Sequence, residues 1–307
     1  QMAQLTSDIV WLVEKTVTLP DGSTTKALVP QVYVRVQAGD IDGNGALISG
    51  SSVNLNLSGD LMNQGTLAGR QIVSVSADNI QNLGGRIQGK DTQVVARNDV
   101  LNQGGNITGG NSLTVQAGHD LTVQSLSRTQ ANANSSRTNI DRVAGLYVTG
   151  DSGTLIASAG NNLNLIAAAV QSQGSATLAA RNNLNLGTAT EASSHQTAWD
   201  ANNRRTDRSS TEVGTVISAQ GNTQLLAGQD INARAASLTS AQGAITAVAG
   251  RDINLKSGQA RVQLDEAQQH QEKGFLNTTT RTTQDKIDET TALGSTLSGN
   301  SVTLAAQ

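Results

Sequence analysis

The stretch SGDLMNQGTLAGR, residues 58–70, decides the fold, because reworded copies of it recur along the chain. Residues 77–90 read ADNIQNLGGRIQGK, residues 97–110 read RNDVLNQGGNITGG, and residues 38–50 read AGDIDGNGALISG. A fixed interval of about 20 residues is the sequence signature of a solenoid, in which each repeat forms one coil.

Two series of apolar residues recur at the repeat interval. The first is Ile41, Leu61, Ile80, Val100 and Leu121, and the second is Leu47, Leu67, Ile87 and Ile107. Within a unit the apolar residues alternate with polar ones, as in Val53, Leu55 and Leu57, and this period of two is typical of a strand. Glycines at 45, 65, 85 and 105 recur between the runs and predict turns.

The pattern predicts an all-β protein, a right-handed parallel β-helix with coils of about 20 residues. One coil cannot bury its apolar face alone, but stacked coils share a continuous core. We expect Asn63, Asn82 and Asn102, which recur at one turn, to form a ladder of amide hydrogen bonds. A leucine-rich repeat would require an L-x-x-L-x-L framework, a calcium-binding repeat a G-G-x-G-x-D motif, and a β-sandwich would lack a constant period.

Residues 37–307 carry the repeat, with polar insertions near 126–152, 190–213 and 259–293. We predict that the insertions are protruding hairpins, for which three aromatic residues are candidate anchors or contacts. They are Tyr147, Trp199 and Phe275.

The third insertion leaves two readings open. LDEAQQHQEK, residues 264–273, is helical by propensity, whereas NTTTRTTQ, residues 277–284, is rich in β-branched residues and favours a strand. We predict a hairpin.

Residues 1–36 are the most apolar part of the chain and differ from the repeats. Two β-rich runs flank the turn PDGS at 20–23, which predicts an N-terminal hairpin. A solenoid end exposes unpaired strands and an open core, so we predict that this hairpin is a cap. Trp11 and Tyr33 are its candidate cap residues.

Composition limits the partners and the chemistry. A formal net charge of −3 with 15% charged residues gives no basis for binding nucleic acid. The absence of cysteine excludes disulfides and thiolate sites. No apolar run reaches the ~18 residues of a membrane helix, and the sequence reads as a piece of a longer protein.

The polar residues do not form a recognisable catalytic motif, and we predict no enzyme activity, cofactor or metal site. Asp40, Asp60, Asp78, Asp99 and Asp120 occur once per coil, which favours turn formation over the clustered carboxylates of a polysaccharide-degrading enzyme. The three histidines, His119, His195 and His270, lack the spacing of metal ligands and are interpreted as surface residues. Arg204, Arg205 and Arg208 are expected to be paired locally with Asp200, Asp207 and Glu212.

The repeat resembles the haemagglutinin repeats of large two-partner-secreted bacterial exoproteins, to which filamentous haemagglutinin-like adhesins also belong. More specific stretches are QVYVRVQAGDIDGNGALISG (31–50), RTNIDRVAGLYV (137–148), WDANNRR (199–205) and AGQDINARAA (227–236). These are similar to the second, C-terminal-side repeat region of contact-dependent growth inhibition toxins of the CdiA type.

The resemblance implies a non-enzymatic segment that helps a C-terminal toxin cross the outer membrane of a target cell. The implied partners are an outer-membrane two-partner secretion transporter, the target-cell outer membrane, and the receptor-binding region and toxin of the same exoprotein. The implied location is the bacterial surface or the medium, or the periplasm of the producer before target contact. The alternative is an adhesive filament segment that binds cell surfaces.

Overall fold

A computed structural model describes residues 9–18, 24–33 and 46–307. The chain divides into two compact units, residues 1–44 and residues 45–307. Throughout the described residues the regular structure consists of β-strands, without a helix. The prediction of an all-β chain is confirmed.

The described part of the first unit is a hairpin. Strand β1 (Ile9–Thr18) pairs antiparallel with β2 (Thr24–Tyr33). Trp11 lies opposite Gln31 in this pairing, and Tyr33 lies opposite Ile9. The turn at 20–23 and residues 34–36 lie outside the described residues.

The second unit contains three sheets built from strands β3 to β30. In chain order these are β3 (Leu47–Asn56), β4 (Leu61–Asn63), β5 (Thr66–Ala77), β6 (Ile80–Leu83), β7 (Arg86–Ala96), β8 (Val100–Gln103), β9 (Asn106–Ala117), β10 (Leu121–Gln124), β11 (Leu126–Ala131), β12 (Ser135–Arg142), β13 (Gly145–Val148), β14 (Thr154–Ala159), β15 (Leu163–Ile166), β16 (Ala169–Ser172), β17 (Ser175–Ala180), β18 (Leu184–Gly187), β19 (Ala189–Ala198), β20 (Arg204–Val213), β21 (Val216–Ala219), β22 (Thr223–Ala227), β23 (Ile231–Arg234), β24 (Ser237–Ser240), β25 (Ala244–Ala249), β26 (Ile253–Lys256), β27 (Gly258–Lys273), β28 (Thr278–Leu293), β29 (Thr296–Ser298) and β30 (Ser301–Ala306).

Two of these sheets are parallel, and the chain alternates between them. One has 8 strands, in the order β26-β23-β18-β15-β10-β8-β6-β4, and the other has 14 strands. Strand β9 lies at a fork in the larger sheet, because its first half pairs with β13 and its second half with β14. We call one repeat of the chain, with its strands in the two parallel sheets, a coil. From the fork onward each coil contributes two short strands to the larger sheet instead of one long strand.

Residues at equivalent positions of successive coils stack on one another, as the repeat interval predicts. Leu61, Ile80, Val100 and Leu121 are partners in the 8-stranded sheet, so the first predicted series is confirmed where it is described. Ile41 lies outside the described residues. The second series is confirmed from Leu67 to Ile107, but its start at Leu47 is wrong. Leu47 pairs with Thr66 and its neighbour Ile48 pairs with Leu67, because a bulge near Gly50 shortens the offset between these two strands.

The interior is narrow and aliphatic. Alternate side chains of each strand point inward, and the largest fully buried residues are Leu and Ile, such as Ile80, Leu163 and Leu184 at 0% exposure. The buried core of the described residues contains no aromatic residue, in keeping with an aromatic content of only 2%.

From β6 onward, the corner of the coil that follows each strand of the 8-stranded sheet is either very tight or carries an insertion. The tight form uses a residue with positive φ: Gly84 (φ 70), Gly104 (φ 60), Ala167 (φ 48) or Ala235 (φ 47). The insertions leave the same corner after β10, β18 and β26, which belong to every second coil.

The three insertions are antiparallel hairpins, β11–β12, β19–β20 and β27–β28, and the helical reading of the third is not observed. They pair with each other to form a 6-stranded antiparallel sheet, in the order β11-β12-β19-β20-β27-β28, which we call the flank sheet. Hydrogen-bonded strands lie about 4.8 Å apart, so two coils and one two-stranded hairpin occupy the same length. An insertion in every second coil therefore builds a continuous second sheet.

Candidate interaction surface

The flank sheet carries a concave surface on one face. One row across it joins His195 to Asp207, then Leu264, then Ile287. A groove of about 780 Å³ lies along this face and is also lined by Ser193, Ser209, Arg205 and Val262, among others. We call it the sheet groove. Val262 and Ile287 are 54% and 51% exposed, so the groove ends in an apolar patch near the sheet edge.

Several polar groups of the sheet groove are bonded to near neighbours. Arg205 Nε donates to Asp207 Oδ2 at 2.9 Å, and this bond lowers the pKa of Asp207. Ser193 and Ser209 share a hydroxyl hydrogen bond of 2.8 Å, while His195 Nε2 lies 3.0 Å from Thr197 Oγ1. Within the part of the groove that the structure describes, no serine is paired with His195 as a nucleophile with its base would be.

The predicted local pairing of the arginine cluster is correct for Arg205 with Asp207 and wrong for two of the acidic residues. Asp200 accepts bonds from Asn202 and Asn203 in its own turn, which lower its pKa. Glu212 binds Arg234 at 2.9 Å instead. Asp207 is thus bonded within its own strand, Asp200 within its own turn, and Glu212 by Arg234 of a neighbouring strand.

The tip of the third hairpin exposes two large apolar side chains. Gly274 N donates to Asn277 O at 2.7 Å, closing a turn that has Phe275 and Leu276 at its centre. Phe275 is 101% exposed and Leu276 is 93% exposed. Phe275 was predicted as an anchor or contact, and the structure shows it fully free of packing. Leu276 was not predicted, although it is adjacent in sequence.

The tip of the second hairpin contacts the third. Asn202 Nδ2 donates to Gln269 Oε1 at 2.6 Å, and Gln269 N donates to Asn203 Oδ1 at 2.8 Å. Trp199 at this tip remains 62% exposed. The pairing of the third hairpin with β20 ends at Ala267. Beyond Gln269, therefore, the third hairpin continues without β20 at its side.

Tyr147 lies elsewhere, and its predicted place in an insertion is wrong. It belongs to β13 of the 14-stranded sheet, where it pairs with Thr108 and Gln171. Its ring packs over Gly145 on the outer face of the strand, and partial burial raises its pKa. The first insertion therefore ends before Gly145, because residues 145–148 continue a coil.

A second feature runs along the turn before the 8-stranded sheet. In each coil an Asp or Asn side chain accepts the backbone N–H of the equivalent residue in the next coil, at 2.9 to 3.2 Å. We call these residues the turn ladder: Asp60, Asn79, Asp99, Asp120, Asn162, Asn183 and Asp230. Assigning Asp78 to this series was wrong by one position, since Asp78 pairs with Arg97. Asp40 lies outside the described residues.

Within residues 9–18, 24–33 and 46–307 there is no helix with the length and apolarity to cross a bilayer. No protein family, curated protein or solved structure matches the chain.

Proposed function

We propose that residues 46–307 form a right-handed parallel β-helix. The support is the pairing of equivalent residues in successive coils across both parallel sheets, for example Leu163 with Leu184 and Leu184 with Ile231. Crossover connections between parallel strands of a sheet are right-handed in the great majority of proteins, which favours this hand. A crystal structure tests the proposal directly, and coils of the opposite hand would refute it.

We further propose that the chain is a non-enzymatic segment of a contact-dependent growth inhibition exoprotein that helps to deliver a C-terminal toxin across the target-cell outer membrane. The observation that carries this proposal is the position of the residues that give the family resemblance. The stretch 137–148 runs from β12 into β13, and 199–205 forms the tip of the second hairpin. Two of the four stretches that carry the resemblance therefore lie in the flank sheet or at its junction with the coils, while residues 227–236 lie in the coils themselves.

Secretion through an outer-membrane transporter is compatible with this architecture. Each coil contacts only its neighbours, so coils can be added one at a time as the chain emerges. Each hairpin also follows the coil strand from which it leaves, so the flank sheet can grow in the same direction. A chain without cysteine avoids crosslinking in an oxidising compartment.

The test is a competition assay with the parent exoprotein in which the flank sheet is removed and the coils are kept. Each hairpin is replaced by the tight corner found at Ala167 or Ala235. Surface display, attachment to target cells and killing are measured together. We expect display and attachment to persist while killing is lost, and unchanged killing would refute the role in delivery.

An adhesive segment is the second candidate, and the exposed hairpin tips favour it. Exposed aromatic residues are common in binding hot spots, and Phe275, Leu276 and Trp199 are held in water at considerable hydrophobic cost. In the same assay, variants Trp199→Ala and Phe275→Ala test this function. Loss of attachment by a displayed filament would assign adhesion to the tips and remove the delivery proposal.

A further inference from the structure

Coil stacking brings His119 between two carboxylates of the turn ladder. His119 Nδ1 lies 3.1 Å from Asp99 Oδ1 and 3.2 Å from Asp120 Oδ2. One potential ligand atom from each residue lies within 4.8 Å of the others. Asp99 and Asp120 are separated by a full coil in the sequence but are adjacent rungs, because Asp99 Oδ1 accepts Asp120 N at 2.9 Å.

Stacked carboxylates on adjacent rungs repel one another, and a nearby cation relieves the repulsion. Asp252 is the next rung, because its backbone N–H bonds to Asp230. Among the described rungs the only other pair of adjacent carboxylates is Asp230 and Asp252, and there the cation is Arg251. Arg251 Nε donates to Asp230 Oδ1 at 2.7 Å and lies 3.8 Å from Asp252 Oδ2. Arg251 directly precedes Asp252, as His119 directly precedes Asp120. The two sites therefore share one geometry, but only His119 can offer a lone pair.

We propose that Asp99, His119 and Asp120 form a surface binding site for a divalent transition-metal ion of the Zn²⁺ class. Imidazole nitrogen with carboxylate oxygen is a donor set suited to Zn²⁺, and ligands about 2.1 Å from a tetrahedral ion lie roughly 3.4 Å apart. The observed separations of 3.1 and 3.2 Å are close to this value. Calcium is disfavoured, since it takes about 6 to 8 oxygen ligands.

The surroundings provide the remaining requirements of such a site. Asp120 uses Oδ1 to accept Asn162 N at 2.9 Å, which holds the carboxylate while Oδ2 faces His119. The His119 and Asp99 side chains are 60% and 55% exposed, so water can reach the site and complete the coordination of the ion. Metal binding through Nδ1 places the imidazole proton on Nε2, and water can accept it there, because the His119 side chain is exposed.

The experiment is isothermal titration of the purified chain with ZnCl₂ at neutral pH. Three variants each replace one proposed ligand with a residue that another coil carries at the equivalent position. Asp99→Asn and Asp120→Asn copy the amides found at rungs 79 and 162, and His119→Arg copies Arg251. His195→Gln and His270→Gln control for adventitious binding to the other two histidines. Melting temperatures are recorded for all variants.

We expect one equivalent of Zn²⁺ to bind, with affinity falling at least tenfold in each of the three ligand variants and unchanged in the two controls. Substitution by Co²⁺ should give a visible absorption band that disappears in His119→Arg. The absence of Zn²⁺ binding, or binding that survives His119→Arg and is lost in His195→Gln or His270→Gln, would overturn the proposal.

Discussion

The side-chain amide of Asn82 donates to Asn102 Oδ1 at 2.7 Å and lies inside the coil, fully shielded from water. Asn82 also donates to Gly85 O at 3.0 Å and accepts a bond from Asn63 at 2.7 Å. The predicted amide ladder of Asn63, Asn82 and Asn102 is thereby confirmed. Its central rung satisfies two neighbouring side chains and one backbone carbonyl, so its loss leaves several buried polar groups without partners.

We predict that Asn82→Ala lowers the free energy of unfolding by about 2 to 4 kcal/mol, because each buried group left unpaired costs ~1–3 kcal/mol. The matched control is Asn185→Ala. Asn185 belongs to a second ladder with Asn164 and Asn232, which is only partly buried. There water replaces the lost partner, and we expect about 1 kcal/mol or less. Urea denaturation measures the free energy of unfolding of both variants. Equal losses of stability would show that burial does not determine how much an asparagine of the ladder contributes.

Gly85 provides a second test of the same ladder. A Cβ at this position would lie 2.5 Å from Asn63 Nδ2 and 2.6 Å from Asn82 Oδ1. Gly85→Ala should therefore displace the amides and destabilise the chain by about 1–3 kcal/mol. Gly59→Ala is the control, since nothing lies within 4 Å of its Cβ position. A Gly85→Ala variant as stable as Gly59→Ala would contradict the close approach.

At Ala167 we expect the reverse substitution, from alanine to glycine, to stabilise the protein. Its φ of 48 lies in the left-handed region that glycine adopts at the same corner in residues 84 and 104. An L-residue with a side chain pays ~1–2 kcal/mol there, whereas glycine pays ~0.5–1 kcal/mol in chain entropy. We predict that Ala167→Gly raises the free energy of unfolding by up to about 1 kcal/mol. The adjacent Ala168→Gly should lower it, and a loss in both variants would refute the argument.

Periodicity revealed the parts of the fold that repeat at every coil, such as the stacked aliphatic rows and the buried asparagines. It could not decide which of two adjacent, similar residues takes a given role. Gly84, not Gly85, has the positive φ, and Asn79, not Asp78, continues the turn ladder. In both cases a one-residue choice depends on hydrogen-bond register, which composition does not encode.

The flank sheet and the His119 cluster were beyond the reach of sequence motifs for a different reason. Strands β12 and β19 share no pattern, and they meet only because the hairpins leave alternate coils from one corner. Likewise His119 approaches Asp99 across a coil boundary, 20 residues away. Ligand motifs describe neighbours along one strand or helix, whereas the parallel stacking of repeats creates neighbours at the repeat interval.

Arg261 and Asp288 give the third hairpin a measurable pH response. Arg261 Nε donates to Asp288 Oδ1 at 2.7 Å, and this bond, aided by Gln263, lowers the pKa of Asp288 to about 2. Because the folded pKa is depressed, the stabilising contribution is complete above the unfolded value of ~3.9 and is lost as the pH falls through about 2. Both side chains are about half exposed, so the contribution is small.

We predict that the carboxyl carbon of Asp288 titrates in NMR spectra with a midpoint near 2. Arg261→Ala should move this midpoint upward toward the ordinary carboxyl value, since the largest cause of the shift is removed. A midpoint that is already ordinary in the unmodified chain, or that does not respond to Arg261→Ala, would show that the ion pair is not formed in solution.

The spacing rule of the flank sheet leads to the most demanding prediction. Replacing the second hairpin, residues 189–213, by a tight corner removes β19 and β20 and leaves β12 and β27 about 14 Å apart, three strand spacings. The remaining hairpins cannot close this gap while the coils stay stacked. We expect the amides of the coils to stay protected in hydrogen exchange. The amides of β12 that faced β19, and those of β27 that faced β20, should lose their protection.

Deletion of the third hairpin, residues 258–293, is the matched control for this prediction. It removes one end of the flank sheet and leaves β11, β12, β19 and β20 as a continuous set of strands. Amide protection should therefore persist in β12, in contrast to the first deletion. If β12 kept its amide protection in both deletions, the hairpins would be stabilised by the coils beneath them and not by each other. The matched spacing would then have no structural role.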